Sequence, residues 1–287
     1  MAGDPRVWFI TGASKGFGHI WAAAALARGD RVAATARDTD TLKDLVDLHG
    51  DAVLPIRLDV TDRQADTEAV QLAAETFGRL DVVVNNAGYG QFGAIEEISE
   101  DELRAQFETN VFGAFWVTQA ALPIMREQRS GHIVQVSSVG GVAAFQNTGA
   151  YHASKWALEG FSDSLSQEVA GFGIHVTLVE PGGFTTDWSG ASAKRATPLP
   201  AYDGVRAAQK QRSGAAHPGD PEATAAAILQ VVDADEPPLR VLFGLDPTTI
   251  TKRVYAQRLS TWAEWERVSL QAQGHAQGQA PGGDAAS

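Results

Sequence analysis

Apolar positions along the chain fall into two alternating patterns. Short runs such as Val7 to Ile10, Arg31 to Ala36 and Leu80 to Val84 carry small or apolar side chains almost end to end, as a strand covered on both faces does. Longer stretches between them repeat apolar residues every three or four positions, the spacing of a helix with one buried face. In chain order this predicts a strand at 7–10, a turn at 11–18, a helix at 19–28 stopped by Gly29 and a strand at 31–36. A helix at about 39–48, a strand at 52–58, a helix at 63–77 and a strand at 80–84 follow. The second half gives a long helical stretch from Glu100 to Gln128, a strand at 133–137, a helix at 150–170 and a strand at 175–179. A helix at 222–233, a strand at 239–243 and a helical extension at 246–270 complete the pattern. Strands alternating with helices through short connections predict an α/β fold, a doubly wound parallel sheet (Rossmann fold) with helices on both faces in one domain over 1–270. Two stretches fall outside the alternation. Residues 185–221 are rich in Ser, Gly, Ala, Pro and basic residues, as a substrate lid would be. Residues 271–287 are Gln, Ala and Gly with almost nothing to bury, and predict a disordered tail.

Charge narrows the classes of partner. With 23 basic against 35 acidic residues in 287, the formal net charge of -12 argues against nucleic acid or an anionic membrane. No run of 18 apolar residues is present, so no membrane span is expected. The lack of cysteine excludes disulfides and thiolate metal sites and fits a cytoplasmic location. No metal site is expected.

The candidate chemistry lies in three places. Tyr151 and Lys155 are four residues apart on a predicted helix, so the ammonium stacks one turn from the phenol. A phenol of pKa about 10 is a weak acid–base at neutral pH, and a cation beside it favours the phenolate. Ser138, at the end of the preceding strand, can hydrogen-bond an oxygen on which charge develops. The second place is the turn after the first strand, Gly12-x-x-x-Gly16-x-Gly18, where glycines permit a tight turn and close approach of phosphate to a helix N-terminus. The third is the end of the second strand, Ala34-Thr35-Ala36-Arg37. It has no acid at position 36 to meet ribose hydroxyls, whereas Lys15 and Arg37 are two cations in an acidic chain. That pattern points to the 2′-phosphate of NADP(H) in preference to NAD(H), with Asp38 as the one feature favouring NAD(H).

Thr11-Gly-x-x-x-Gly-x-Gly18, Asn85-Asn86-Ala87-Gly88, Asn110, Ser138, Tyr151-x-x-x-Lys155 and Pro181-Gly182 together resemble the short-chain dehydrogenase/reductase family, over about residues 5 to 245. The resemblance implies an NAD(P)-dependent oxidoreductase. Tyr151 would be the general acid or base, Lys155 would tune it and hold ribose hydroxyls, Ser138 would orient the carbonyl, and the main chain of Asn110 would hold a relay water. It also implies cofactor contacts from Gly12, Ser14, Lys15, Gly16, Phe17, Gly18 and Arg37, and from Tyr151 and Lys155. Asp59 and Val60 would meet the adenine, Asn86, Ala87 and Gly88 the adenosine side, and Pro181, Gly182 and Thr186 the nicotinamide half. The substrate would be a small carbonyl compound or alcohol, against an apolar wall including Phe92, Val142, Phe145, Phe184 and Trp188. Lys194 and Arg195 read as a solvated charge pair of the lid. A homodimer or homotetramer through the two long helices is implied, with Phe112, Phe115 and Trp116 suited to an interface. Two rivals share these features: a Rossmann-fold nucleotide sensor or scaffold without turnover, and a reductase of an acyl-carrier or sterol substrate.

Overall fold

The computed structural model describes residues 5–188, 190, 192–213 and 218–274. Its centre is a sheet of seven parallel strands: β1 (Val7–Ile10), β2 (Arg31–Ala36), β3 (Val53–Arg57), β4 (Val82–Asn85), β6 (Gly131–Val136), β7 (Ile174–Pro181) and β9 (Arg240–Phe243). Their order is β3-β2-β1-β4-β6-β7-β9, so the chain reverses its direction of winding between β1 and β4. In such a sheet the ligand crevice forms at the carboxyl ends of the strands beside that reversal.

Alternation along β1 builds two cores at once. Trp8 and Ile10 point into a cluster with Trp21, Leu26 and Ile228, and Val7 and Phe9 point to the other face with Leu80, Met125 and Ile133. Helices α1 (Gly16–Ala27) and α8 (Thr224–Asp233) close the first face, where buried Trp21 donates from Nε1 to Thr224 Oγ1 at 2.8 Å. Helices α3 (Arg63–Phe77), α5 (Ala114–Gln128) and α6 (Gly149–Val169) close the second. The short helix α2 (Lys43–His49) follows a 3₁₀ turn at Thr39–Leu42, a division of the single predicted helix at 39–48.

Three departures from the expected elements bear on the site. Helix α1 begins at Gly16, three residues earlier than expected, so the last glycines of the turn form its first turn. The stretch 100–128 is not one helix: α4 (Glu100–Phe107) passes into a π-helical turn at Glu108–Gly113 before α5. Such a turn holds one residue more than an α-turn, and it brings Gly113 against Val60, where a Cβ would stand 2.7 Å from Val60 O. The segment expected as an irregular lid contains β8 (Lys194–Arg195), which pairs in parallel with β5 (Gln91–Phe92), and α7 (Asp203–Ser213). That segment is fastened to the turn at 95–97 by Leu199 N and Arg206, both donating to Glu97, and by Tyr202 donating to Glu96 Oε2 at 2.6 Å. Asn147 Nδ2 donates to Gln209 Oε1 at 2.8 Å and ties it to the loop before α6 as well.

The C-terminal extension is α9 (Leu245–Glu264) followed by α10 (Glu266–Ala272). It leaves Leu259, Trp262 and Trp265 exposed, and Arg258 stacks on Trp156 of α6 at 4.8 Å. Of the stretch expected to be a tail, 271–272 close α10, and 275–287 lie outside the described residues.

Candidate active site

The turn after β1 is shaped by what its glycines cannot carry. Gly12 and Gly16 have φ of 66° and 58°, the left-handed region that favours glycine. A Cβ on Gly18 would stand 2.6 Å from Gly12 O and 2.5 Å from Asn86 Nδ2, whereas one on Gly16 would meet nothing within 4 Å. The turn is therefore packed on its inner side and open where Gly16 faces out. Asn86 fixes it from β4's end, its Nδ2 donating to Thr11 O at 2.9 Å and Gly12 O at 3.0 Å, while Asn86 N and Ala87 N both donate to Thr11 Oγ1 at 3.0 Å. Helix α1 starts at this turn with no side-chain cap and no acid in its first turn. By contrast α3 and α4 are capped by Asp62 and Ser99. Uncapped amides at a helix start suit a phosphate group. The residues present thus fit the pyrophosphate of a dinucleotide. Phe17 takes another part: its ring stacks on Trp21 at 5.4 Å and meets Phe184 edge-on at 5.1 Å, so it packs α1 against the sheet.

The remaining expected cofactor residues line the same end of the sheet. Arg37 is exposed just after β2, with no hydrogen bond or ion pair found for it among the described residues. Asp38 beside it accepts from Asp40 N at 3.1 Å, capping the 3₁₀ turn. Lys15 is paired with Asp187 at 3.1 Å, both largely exposed. Ser14 lies half-buried in the turn. Asp59 is exposed and accepts from Thr61 N and Oγ1, and Val60 is buried against Gly113. Pro181 closes β7, Gly182 N donates to Phe243 O at 3.0 Å, and Thr186 lies in the following loop with its N donating to Phe184 O. Gly88 is held against Asn110, where a Cβ would be 3.1 Å from Oδ1 and 3.7 Å from Lys155 Nζ.

Tyr151 and Lys155 sit in the first half of α6 with their side chains turned inward, 5% and 6% exposed. The Tyr151 phenol lies beside Ser138, whose Oγ accepts from Gly140 N at 3.0 Å. Lys155 Nζ donates to Val136 O at 2.7 Å and stands 5.8 Å from the Tyr151 ring centroid. Burial pushes the phenol up to about 12, with Ser138 pulling the other way, and burial brings Lys155 down to about 8. The Lys155 ammonium is aimed at a main-chain carbonyl, and burial is the largest influence on the phenol.

Asn110 lies in the π-turn and is buried, and its side chain clamps Tyr89. Oδ1 accepts from Tyr89 N at 3.1 Å, and Nδ2 donates to Tyr89 O at 3.0 Å and to Ser154 Oγ at 3.1 Å. The clamp orders the segment leading to Gly90 and β5, over which Trp188 packs. Trp188 lies 4.9 Å from the Tyr151 ring and 5.4 Å from Phe92, so an aromatic wall covers the phenol. Phe145 faces His152, the residue after Tyr151, at 5.4 Å, whereas Phe184 packs against Phe17 at the glycine turn. Lys194 and Arg195 are both exposed, as a solvated pair should be, and also lie over the rings of Tyr89 and Phe92, at 4.6 and 4.7 Å.

Residues 6–196 match the family described as short chain dehydrogenase. The chain belongs to the short-chain dehydrogenases. It is 44% identical over 269 residues to Oxidoreductase BOA17 of Botryotinia fuckeliana, covering 92% of this chain and 98% of that one. A solved short-chain dehydrogenase from Streptomyces avermitilis superposes with a TM-score of 0.89 at 43% identity, over 95% of this chain and all of that one. An archaeal alcohol dehydrogenase from Thermococcus sibiricus, solved with 5-hydroxy-NADP, gives a TM-score of 0.69 at 26% identity, over 84% of this chain and 96% of that one. As a short-chain dehydrogenase the protein is an oxidoreductase that uses a nicotinamide cofactor.

Several residues of this dehydrogenase's site were not singled out by their sequence positions. Ser137 and Glu159 form a buried pair behind Ser138, Gln106 donates from Nε2 to Tyr89 O at 3.0 Å, and Asp187 pairs with Lys15. Only Asp187 left a usable signal, as an acid in the expected lid of a chain whose glycine turn carries a lysine.

Proposed function

We propose that this short-chain dehydrogenase interconverts an apolar ketone or aldehyde with its alcohol, using NADP(H), and that Tyr151 exchanges the proton. The observation that carries the reading is the convergence of the Tyr151 phenol, the Ser138 hydroxyl and the Lys155 ammonium beneath the Trp188 and Phe92 rings. NADP(H), when bound, supplies or takes up the hydride. Tyr151 donates its proton to the carbonyl oxygen in reduction, and Ser138, beside the same phenol, orients that oxygen. The aromatic cover excludes water and favours an apolar substrate. A nucleotide sensor without turnover would not need these three groups together.

NADP(H) is supported by the cations Arg37 and Lys15 at the rim of the glycine turn, with no acid at position 36 to meet a ribose hydroxyl. Association into dimers or tetramers through the π-turn, α5 and α6 is supported by Phe112, Phe115 and Trp156 on them in turn, which are 41%, 39% and 43% exposed. No helix among the described residues is long and apolar enough to cross a membrane.

The test is consumption of NADPH and of NADH by the purified protein with a panel of hydrophobic ketones and aldehydes. Turnover with NADPH well above that with NADH is expected, and absence of turnover with every carbonyl despite cofactor binding would overturn the reading. Arg37→Ala should raise KM for NADPH by roughly 10–100-fold, the weight of one charge-assisted bond, with NADH changed by less than about threefold. Equal effects on both cofactors would remove Arg37 from the phosphate site.

A further inference from the structure

Helix α6 carries a third buried group on the face of Tyr151 and Lys155. Glu159 follows Lys155 by four residues, one turn deeper along the helix, with its side chain 8% exposed. Its Oε1 accepts a 2.5 Å bond from Ser137 Oγ and its Oε2 a 3.0 Å bond from Arg240 Nε on β9. Arg240 also donates from Nη2 to Asp163 Oδ2 at 2.8 Å. Glu180 of β7, directly before Pro181, brings its Oε1 within 3.7 Å of Arg240 Nε, and that oxygen is buried with no hydrogen bond among the described residues. The turn over the cluster is shaped to it: a Cβ on Gly141 would stand 2.6 Å from Ser137 Oγ and 2.9 Å from Glu159 Oε1. The charged groups around Glu159 are thus Lys155 and Asp163 on its own helix, Glu180 from β7 and Arg240 from β9; the turn at 139–141 brings none.

A buried ion cluster adds little net stability compared with apolar packing of the same volume. What distinguishes this one is where it leads: Ser137 precedes Ser138, and Glu159 follows Lys155 by one turn. We propose that Glu159 is a positioning residue for the reaction, its carboxylate keeping Lys155 protonated and clamping the Ser137–Ser138 strand end to the helix that carries Tyr151. The inference rests on the assignment of Tyr151 and Lys155 to proton transfer. Its sign follows from the opposed influences on the lysine: burial lowers its pKa to about 8, and the Glu159 charge acts to raise it. Burial raises Glu159 as well, with Ser137, Arg240 and Lys155 acting against that rise, and burial and the charge of Glu159 raise Glu180 to about 7.

The experiment follows the Lys155 side chain by carbon NMR against pH in lysine-labelled, cofactor-free protein, the signal being assigned by its loss in Lys155→Arg. Glu159→Gln should lower the Lys155 midpoint by about one pH unit, the size expected for one neighbouring charge. The alkaline limb of kcat/KM should move in the same direction. Ser137→Ala, which keeps the charge and loses the clamp, should lower kcat and leave the midpoint in place. A folded Glu159→Gln protein with an unmoved Lys155 midpoint overturns the proposal. If that variant does not fold, Glu159→Asp gives the same sign at smaller size, and an unmoved midpoint there overturns it equally. A wild-type protein without carbonyl turnover would defeat the assignment of Tyr151 and leave the NMR result to decide the Lys155–Glu159 coupling on its own.

Discussion

Tyr151→Phe is expected to lower kcat by about 10²–10⁴-fold, the span attributable to one positioned acid–base group, while cofactor affinity stays within about twofold of wild type. The fold loses at most the phenol's interaction with Ser138, about 1 kcal/mol. The ring keeps its contact with Trp188 at 4.9 Å. Steady-state rates with NADPH, set beside fluorescence titration of the cofactor, separate the two effects. Turnover above about a tenth of wild type would remove Tyr151 from the proton-transfer role. The raised phenol pKa of about 12 also fixes a direction in pH. Reduction uses the protonated form, which is fully present at neutral pH. Oxidation of the alcohol starts from the phenolate, so its rate should climb about tenfold per pH unit below that value.

Lys155→Met should abolish turnover to a similar degree and yet make the protein harder to unfold at pH 7. The ammonium is buried, and its displacement from 10.5 to about 8 corresponds to about 3 kcal/mol of destabilisation at ~1.4 kcal/mol per pH unit. Because the folded-state value lies below the unfolded one, that destabilisation is complete below about pH 8 and disappears as pH rises towards 10.5. Methionine fills a similar volume without charge and loses the bond to Val136 O, about 1 kcal/mol. A net gain of about 1–2 kcal/mol at pH 7, turning into a loss of about 1 kcal/mol well above pH 10.5 where only the missing bond counts, is therefore expected from denaturant titrations across that range. A Lys155→Met protein less stable than wild type at pH 7 would mean that the lysine's surroundings solvate it far better than its burial implies.

Much of the sheet could be read from the sequence because its strands are buried on both faces. β1 and β2 and helix α3 fall where the apolar runs and periodicity put them. The glycine turn was legible for a related reason, since positive φ and a 2.6 Å backbone approach leave few residue types that fit. The π-turn was not, because one extra residue between Glu108 and Gly113 barely disturbs the helical repeat of apolar positions. Helix α7 was hidden by composition: Asp203 to Ser213 is largely polar and is held by Arg206 and Gln209 on partners about 60 to 110 positions away. Glu159 was passed over because an acid four residues from a lysine ordinarily reads as a solvated pair on a helix surface. Its burial is decided by Arg240, far along the chain.

The strand order also has a bearing on how the molecule comes into being. β4 has β1 on one side and β6 on the other, and all four of its residues are buried in the finished sheet. During synthesis, Val82 to Asn85 can dock on β1 as soon as they emerge, but their second edge waits until residues 131–136 have been made. In that interval the nascent chain presents an apolar strand with open hydrogen-bonding groups, the kind of edge that recruits neighbouring chains. The long excursion through α4, the π-turn and α5 lies in that gap, and α5 packs on the face beside β4. Early formation of α5 would shelter one face of the waiting strand. The helices that later frame the active site would then first serve as an internal chaperone for the half-built sheet.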